Sequence, residues 1–321
     1  MFTKLSIPFQ KYTCCGNTFI IVDESMISFK HNDGYSLFSK WVLDRNFGIG
    51  GADNLLFLKK MDLGEHYYTD YSFRIFEQDG SETLFCGNGL LSITDLLYRL
   101  SGCLKFKILT RLPLSTPVSV ETGIDDSEIG ARWVNLGTPS VAPTNIYMGE
   151  DTILSLKICD SGNIAPLNAH FVFNGEPHLV FLSEYGFPSE LEEMIWKNSE
   201  DSISFFHTIG EYINKKYCAL FPNGVHINFA RINLHRKMLE YRTYERAINC
   251  ETLACGSGAS AIAWTYWENN FISEKVIEIQ PYRCAWYRSD AFLRVSKTTK
   301  GIILYGFPEL VYKGEMLWNQ I

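Results

Sequence analysis

The sequence has no run of about 20 apolar residues, the length that a helix needs to cross a bilayer. Its first residues, MFTKLSIPFQKYTCCGNTF, also lack the uninterrupted apolar stretch of a secretory signal peptide. A hydrophobic content of 46% is nevertheless sufficient for a sizeable core, and 321 residues are enough for two ordinary domains. We therefore predict a globular cytoplasmic protein that does not associate with membranes.

An excess of positive charge is also missing. The chain has 29 Lys and Arg against 36 Asp and Glu, which gives a formal net charge of −7. Nucleic-acid binding depends on a basic surface, and this composition does not indicate one. We expect a small-molecule ligand and no nucleic acid. A homodimer is compatible with the sequence, which does not determine the oligomeric state.

The nine cysteines fit neither of the common structural patterns. They lie at positions 14, 15, 86, 103, 159, 218, 250, 255 and 284, and their odd number and wide spread differ from the dense pairs of small secreted domains. The chain also lacks CxxC, HxxxH and HExxH, the spacings that are typical of zinc sites. We therefore predict reduced thiols and no metal ion.

Short strand-like runs recur in both halves of the chain. FIIVDE, LLFLKK and FRIFEQ predict strands in the first half, and HFVFN, HLVFLS, HINFARI and KMLEYRTYE predict strands in the second. Two segments predict helices, LLSITDLLYRL and GASAIAWTYW, and each follows a glycine-rich turn. Pro and Gly cluster in LGTPSVAPTNIYMGED, which indicates a boundary. We predict an α/β (α+β) fold with two domains, 1–140 with 305–321 and 141–304.

An internal repeat marks the start of each predicted helix. Residues 82–89 read ETLFCGNG and residues 251–258 read ETLACGSG, so both copies have the form ETLxCGxG. A repeat of this kind indicates equivalent positions in two pseudo-symmetric halves. A pseudo-twofold axis would bring Cys86, in the first domain, and Cys255, in the second, to one interface.

A cysteine at a helix start is suited to proton transfer. The unpaired N–H groups and the positive end of the helix dipole favour its thiolate form, and adjacent glycines let the backbone approach a bound carboxylate. Two such turns could invert an α-carbon, because a thiolate on one face would remove the proton and a thiol on the other would return one. No pyridoxal phosphate is needed. Burial as structural residues and a disulfide between the two cysteines remain alternatives.

The two motifs closely resemble those of the diaminopimelate epimerase family. Further segments match in the same order, over nearly the whole chain: Gly16-Asn17-Thr18-Phe19, DRNFGIG at 44–50, Arg74-Ile75-Phe76, Asp79-Gly80-Ser81-Glu82, Pro177-His178, Phe221-Pro222 and Glu245-Arg246. The resemblance implies two domains, each a curved, mostly antiparallel sheet around a central helix. It also implies a racemase or epimerase that needs no cofactor. The default substrate is LL- or meso-diaminopimelate, a precursor of lysine and of the cell wall.

The resemblance implies a set of active-site residues as well. Cys86 and Cys255 would be the acid/base pair, with His178 and Glu245 assisting them. The remaining residues would bind the substrate: Gly87, Asn88, Gly256 and Ser257 its α-carboxylate and α-amino groups, Asn17 and Asn54 the same cleft, and Arg246 the distal carboxylate. His178 could instead be a structural histidine, and Glu245 with Arg246 a surface ion pair.

Three positions depart from the family pattern. Glu77, Glu176 and His226 stand where the family has asparagines that bind the far end of the substrate. An ionised glutamate only accepts hydrogen bonds and favours a cation. These positions therefore predict, as an alternative substrate, a basic amino acid such as lysine, ornithine, arginine or histidine. Drift around an unchanged substrate, an isomerase of proline-type substrates and a non-catalytic binding module also remain open.

Overall fold

The computed structural model describes residues 4–29, 33–61, 69–83, 86–110, 118–128, 130–160, 165–246 and 248–319. The strands in these residues are β1 (Lys4–Cys14), β2 (Asn17–Asp23), β3 (Asn54–Lys60), β4 (Tyr71–Glu77), β5 (Lys105–Thr110), β6 (Val118–Ile124), β7 (Arg132–Gly137), β8 (Ile153–Leu156), β9 (Leu167–Phe173), β10 (Pro177–Leu182), β11 (His226–Asn233), β12 (Met238–Glu245), β13 (Cys250–Thr252), β14 (Val276–Pro281), β15 (Leu293–Thr298), β16 (Gly301–Gly306) and β17 (Glu309–Asn319). The α-helices are α1 (Asp33–Leu43), α2 (Gly87–Ser101), α3 (Ser189–Ile195), α4 (Glu200–Lys216), α5 (Gly256–Glu268) and α6 (Tyr282–Ala285).

The chain divides into two compact units. The first comprises Met1–Asn135 and Tyr305–Ile321, and the second comprises Leu136–Leu304. The chain passes from one unit to the other within β7 and within β16. The runs predicted as strands coincide with β2, β3, β4 and β9 to β12, and both predicted helices are present as α2 and α5.

In the first unit the strands form a mixed, largely antiparallel sheet. β1 pairs antiparallel with β2 and β17, β2 pairs parallel with β3, and β3 pairs antiparallel with β4. β4 then pairs parallel with β5, and β5 pairs antiparallel with β6. Helix α2 packs on β1, β2 and β6, and every residue from Gly87 to Leu97 is buried. The sheet therefore curves around a central helix.

The second unit repeats this topology. β9 pairs antiparallel with β10, β10 pairs parallel with β11, and β11 pairs antiparallel with β12. β12 then pairs parallel with β14, and β14 pairs antiparallel with β15. Helix α5 lies between β12 and β14 in the chain, as α2 lies between β4 and β5. The two units thus have the same order of strand pairings, which confirms the prediction of two pseudo-symmetric halves.

Helix α5 is suited by its sequence to a central position. Its first two turns read GSGASAIA, and Ala259, Ser260, Ala261 and Ala263 are fully buried. Small side chains allow strands to approach a helix closely on several sides, so the helix does not need a polar face. Among the described residues, no helix is both long and apolar enough to cross a membrane.

Candidate active site

The two motif cysteines have the same local structure. Cys86 is the N-cap of α2, and its Sγ accepts a hydrogen bond from the backbone N–H of Gly89 at 3.3 Å. Cys255 is the N-cap of α5, and its Sγ accepts one from Gly258 at the same distance. Their φ and ψ angles are −144° and 109° for Cys86, and −139° and 114° for Cys255. The repeat therefore places a sulfur at the start of each central helix. Leu84 and Phe85 of the first motif lie outside the described residues.

The glutamate that begins each motif is held by an arginine of a neighbouring strand. Arg74 of β4 donates to both carboxylate oxygens of Glu82 at 2.7 Å, and Arg242 of β12 contacts both oxygens of Glu251 at 2.5 Å. In each unit a bidentate pair thus fixes the segment that leads to the cysteine. Sequence analysis missed these arginines, although a second repeat, RIFE at 74–77 and RTYE at 242–245, could have indicated them.

A chain of hydrogen bonds leads away from Cys255. The hydroxyl of Ser257 lies 3.4 Å from Cys255 Sγ, and His178 Nε2 lies 3.1 Å from Ser257 Oγ. On the other side of the ring, His178 Nδ1 is 3.2 Å from the side-chain nitrogen of Asn228. This nitrogen also donates to the carbonyl of Leu179, which fixes the orientation of the amide.

The direction of this chain follows from the chemistry of its members. An amide nitrogen can only donate, so His178 Nδ1 accepts. Burial, together with the charges of His226 and Arg246, holds the pKa of His178 well below its ordinary value, so the ring is neutral. Its one proton therefore lies on Nε2 and is donated to Ser257 Oγ, which leaves the serine hydroxyl able to donate to Cys255. The network is polarised in the direction that stabilises a thiolate.

Asn228 is a functional candidate that sequence analysis missed. It is fully buried, and a Cβ atom at position 258 would lie 2.6 Å from its Oδ1, so the motif glycine is required for this close approach. No local pattern marks Asn228, because the residues that it joins are remote in sequence.

Glu176, His226 and Arg246 form a second buried cluster in the same unit. Arg246 donates to Glu176 Oε2 from Nη2 at 2.9 Å and from Nε at 3.3 Å, and His226 Nε2 lies 3.3 Å from the same oxygen. Burial opposes ionisation of Glu176, but Arg246 and His226 more than offset it, so the pKa of Glu176 lies below its ordinary value. The rings of His226 and His178 stack with centroids 4.9 Å apart. This cluster therefore adjoins the hydrogen bonds that lead to Cys255.

The first unit brings together two amide pairs. Asn88, the second residue of α2, donates from Nδ2 to Asn17 Oδ1 at 2.6 Å. Asn54, at the start of β3, donates from Nδ2 to Glu77 Oε2 at 2.8 Å, and the two residues are register partners. All four are buried. Burial and hydrogen bonding are therefore concentrated around the helix start that carries Cys86.

The predicted site residues fall into two groups, one in each unit. The first unit contains Asn17, Asn54, Glu77, Cys86, Gly87 and Asn88, and the second contains Glu176, His178, His226, Glu245, Arg246, Cys255, Gly256 and Ser257. Glu245 ends β12, as Glu77 ends β4, and it accepts a hydrogen bond from the hydroxyl of Thr252. The described residues include no group of three or more His, Cys, Asp or Glu side chains that could hold a metal ion.

Acidification is expected to destabilise the fold. Burial lowers the pKa of three histidines, His170, His178 and His226, below the ordinary value of 6.5. As the pH falls past 6.5, the unfolded chain binds protons that the folded chain does not, so the free energy of unfolding decreases, by up to about 1.4 kcal/mol per pH unit for each histidine. Urea unfolding between about pH 7.5 and 5.5 would measure this slope, which His226→Asn should reduce and the surface change His207→Asn should not. A pH-independent free energy would contradict the expectation.

The comparisons with known proteins agree on one family. The sequence profile described as diaminopimelate epimerase matches residues 9–111. Diaminopimelate epimerase of Methanothrix thermoacetophila is 31% identical over 252 residues, which cover 77% of this chain and 76% of the relative. The enzyme of the same name from Legionella pneumophila is 28% identical and covers 98% of this chain and all of its own.

Solved structures agree on the fold. A hydroxyproline epimerase from Agrobacterium vitis superposes with a TM-score of 0.65 and 12% identity, over 100% of this chain and 95% of its own. A predicted epimerase from Pseudomonas aeruginosa has a TM-score of 0.60 and 16% identity, over 97% and 99% of the two chains. Together with the repeated cysteine-capped helices, the sequence relatives show that this chain belongs to the diaminopimelate epimerase family and is an isomerase of the racemase and epimerase type.

Proposed function

We propose that the protein inverts the α-carbon of a free amino acid by proton transfer between Cys86 and Cys255, without pyridoxal phosphate. The observation that carries the proposal is the shared local structure of the two cysteines, each of which caps a buried helix and accepts a glycine N–H. A buried structural cysteine needs neither a helix start nor a repeated glycine turn. Both features are those of a thiol prepared for acid/base chemistry.

The proposed reaction has two proton transfers. The thiolate of one cysteine takes the proton from the α-carbon, and the electron pair of the C–H bond passes into the planar carbanion, where the carboxylate shares the charge. The thiol of the other cysteine then gives its proton to the opposite face, so that one residue ends as a thiol and the other as a thiolate. The first N–H groups of α2 and α5, at Gly87, Asn88, Gly256 and Ser257, are suited to stabilise the charge on the carboxylate.

Polar residues around each cysteine have distinct roles in the proposal. On the side of Cys255, the neutral His178 and Ser257 supply a hydrogen bond to the sulfur, in the direction derived above. Glu245 is proposed to assist proton transfer. Asn17 and Asn54 are proposed to hold the α-amino group of the substrate.

Two substrate classes follow from the observations. The sequence relatives carry diaminopimelate in their names, so LL-diaminopimelate is the reference substrate. A basic amino acid is the second candidate, because the Glu176 carboxylate already occupies the guanidinium of Arg246.

Solvent deuterium incorporation tests the proposed reaction. The purified protein is incubated in deuterated water with LL-diaminopimelate and with the L-forms of lysine, ornithine, arginine, histidine and proline, followed by chiral analysis and mass spectrometry. We expect deuterium at the α-carbon and the opposite configuration for at least one substrate, without added pyridoxal phosphate, and no loss of activity with hydroxylamine, which traps this cofactor. If none of these substrates exchanges its α-proton, the proposed function is wrong. Proline as the preferred substrate would favour the proline-type isomerase instead.

A further inference from the structure

We infer that the substrate's side chain ends in a nitrogen hydrogen-bond donor and bears no carboxylate there. This inference rests on the proposed amino-acid inversion and narrows it. It is carried by the buried cluster of Glu176, His226 and Arg246 in the second unit, whose charges and hydrogen bonds suit a donor and not an anion.

The charge of Arg246 is compensated within the protein. Its Nη2 and Nε both donate to Glu176 Oε2, and its Nη1 donates to the carbonyl of Asn223 at 2.6 Å. Glu176 is 2% exposed, so solvent does little to screen its carboxylate. A substrate carboxylate that approached this arginine would also approach the carboxylate of Glu176, and it would be repelled. Unlike an isolated guanidinium, the pair carries no net charge with which to bind an anion.

His226 contributes an unused hydrogen-bond acceptor. The ring is buried, and burial lowers its pKa against the opposing effect of Glu176, so the ring is neutral. Because a carboxylate can only accept, the ring proton lies on Nε2, towards Glu176. Nδ1 is then an acceptor, and it has no hydrogen-bond partner among the described residues. A buried acceptor without a partner is costly in the free protein, and an N–H group of a ligand would satisfy it.

The cluster adjoins the turn of Cys255. His226 of β11 is the register partner of His178 of β10, which reaches Ser257. Asn174 donates from its side chain to the carbonyl of Ser257 at 2.8 Å, and its buried Oδ1 is a second acceptor without a partner in the part of the chain that the structure describes. Both unsatisfied groups therefore accept hydrogen bonds. An ammonium, a guanidinium or an imidazole N–H supplies what they lack, and a distal carboxylate does not.

The test compares rates of α-proton exchange in the unaltered protein. We expect kcat/KM for the best of L-lysine, L-ornithine, L-arginine and L-histidine to exceed that for LL-diaminopimelate at least tenfold. A protein that prefers LL-diaminopimelate to all four would overturn this inference and leave the proposed inversion intact. Absence of exchange with any substrate would instead overturn the proposed inversion.

A charge-removing variant tests the residues themselves. Glu176→Gln leaves Arg246 without its carboxylate, so we expect the ratio of nitrogen-ended to diaminopimelate activity to fall at least tenfold. Glu211→Gln, on the exposed surface of α4, is the matched control and should keep the ratio. The double variant Glu176→Gln with Arg246→Gln removes both charges and leaves no buried group unpaired. It should gain no diaminopimelate activity, and such a gain in the double variant would contradict the role of Arg246.

Discussion

Replacement of either Cys86 or Cys255 with alanine is expected to reduce inversion of the substrate by roughly a thousandfold, the scale of a lost acid/base group. Each turnover needs a base on one face of the α-carbon and an acid on the other, so neither sulfur can replace the other. The measurement is the rate at which one pure enantiomer produces its mirror image. Solvent exchange alone is insufficient, because a single remaining thiol could still remove and return a proton on its own face.

Two other cysteines provide matched controls for this prediction. Cys103 and Cys218 are exposed free thiols outside both motifs, and their change to alanine should leave the rate unaltered. Because Cys86 and Cys255 are also helix N-caps, their loss should lower the free energy of unfolding by about 1 kcal/mol, which circular dichroism and urea unfolding would detect. A folded Cys86→Ala variant that inverted its substrate at the normal rate would refute the two-thiol mechanism.

The cysteine turns could be predicted from the sequence because their signal is local. Eight consecutive residues recur in two places, and the structure at each place depends mainly on those residues, since the sulfur and the glycine N–H that it accepts are three positions apart. The central helices and most neighbouring strands were predictable for the same reason. Apolar spacing along the chain is fixed by the helix or strand that it forms.

The buried partners could not be predicted in this way. Arg246 and Glu176 are 70 positions apart, and so are the ends of no short motif. Their positions suggested a distal pocket by resemblance, but not that the glutamate would neutralise the arginine. Asn228 and His178 are separated by 50 positions and meet because β10 and β11 lie side by side. Parallel pairing of this kind depends on the whole sheet, and it has no signature in either strand alone.

The second unit is expected to depend strongly on Arg242. Its side chain and that of Glu251 are 0% and 1% exposed, and the arginine also donates to the carbonyl of Ile195 and to the hydroxyl of Ser202. Arg242→Leu leaves a buried carboxylate without its cation, so we expect the free energy of unfolding to fall by about 3–5 kcal/mol in urea denaturation. The equivalent change Arg74→Leu should cost less, because the side chains of Arg74 and Glu82 are 10% and 16% exposed.

The pH dependence of the Arg242→Leu variant would identify the unpaired carboxylate as the cause. Burial raises the pKa of Glu251 even with Arg242 present to oppose it, and removal of Arg242 should raise that pKa further. A raised pKa in the folded state means that stability is retained at low pH and lost as the pH rises above the ordinary value of 4.5, so the deficit should grow from acid towards neutral pH. Adding Glu251→Leu should restore much of the stability, since no charge then remains buried. A deficit that was the same at every pH, and that the second change did not reduce, would attribute the loss to packing around Phe206, which the guanidinium of Arg242 covers at 4.6 Å.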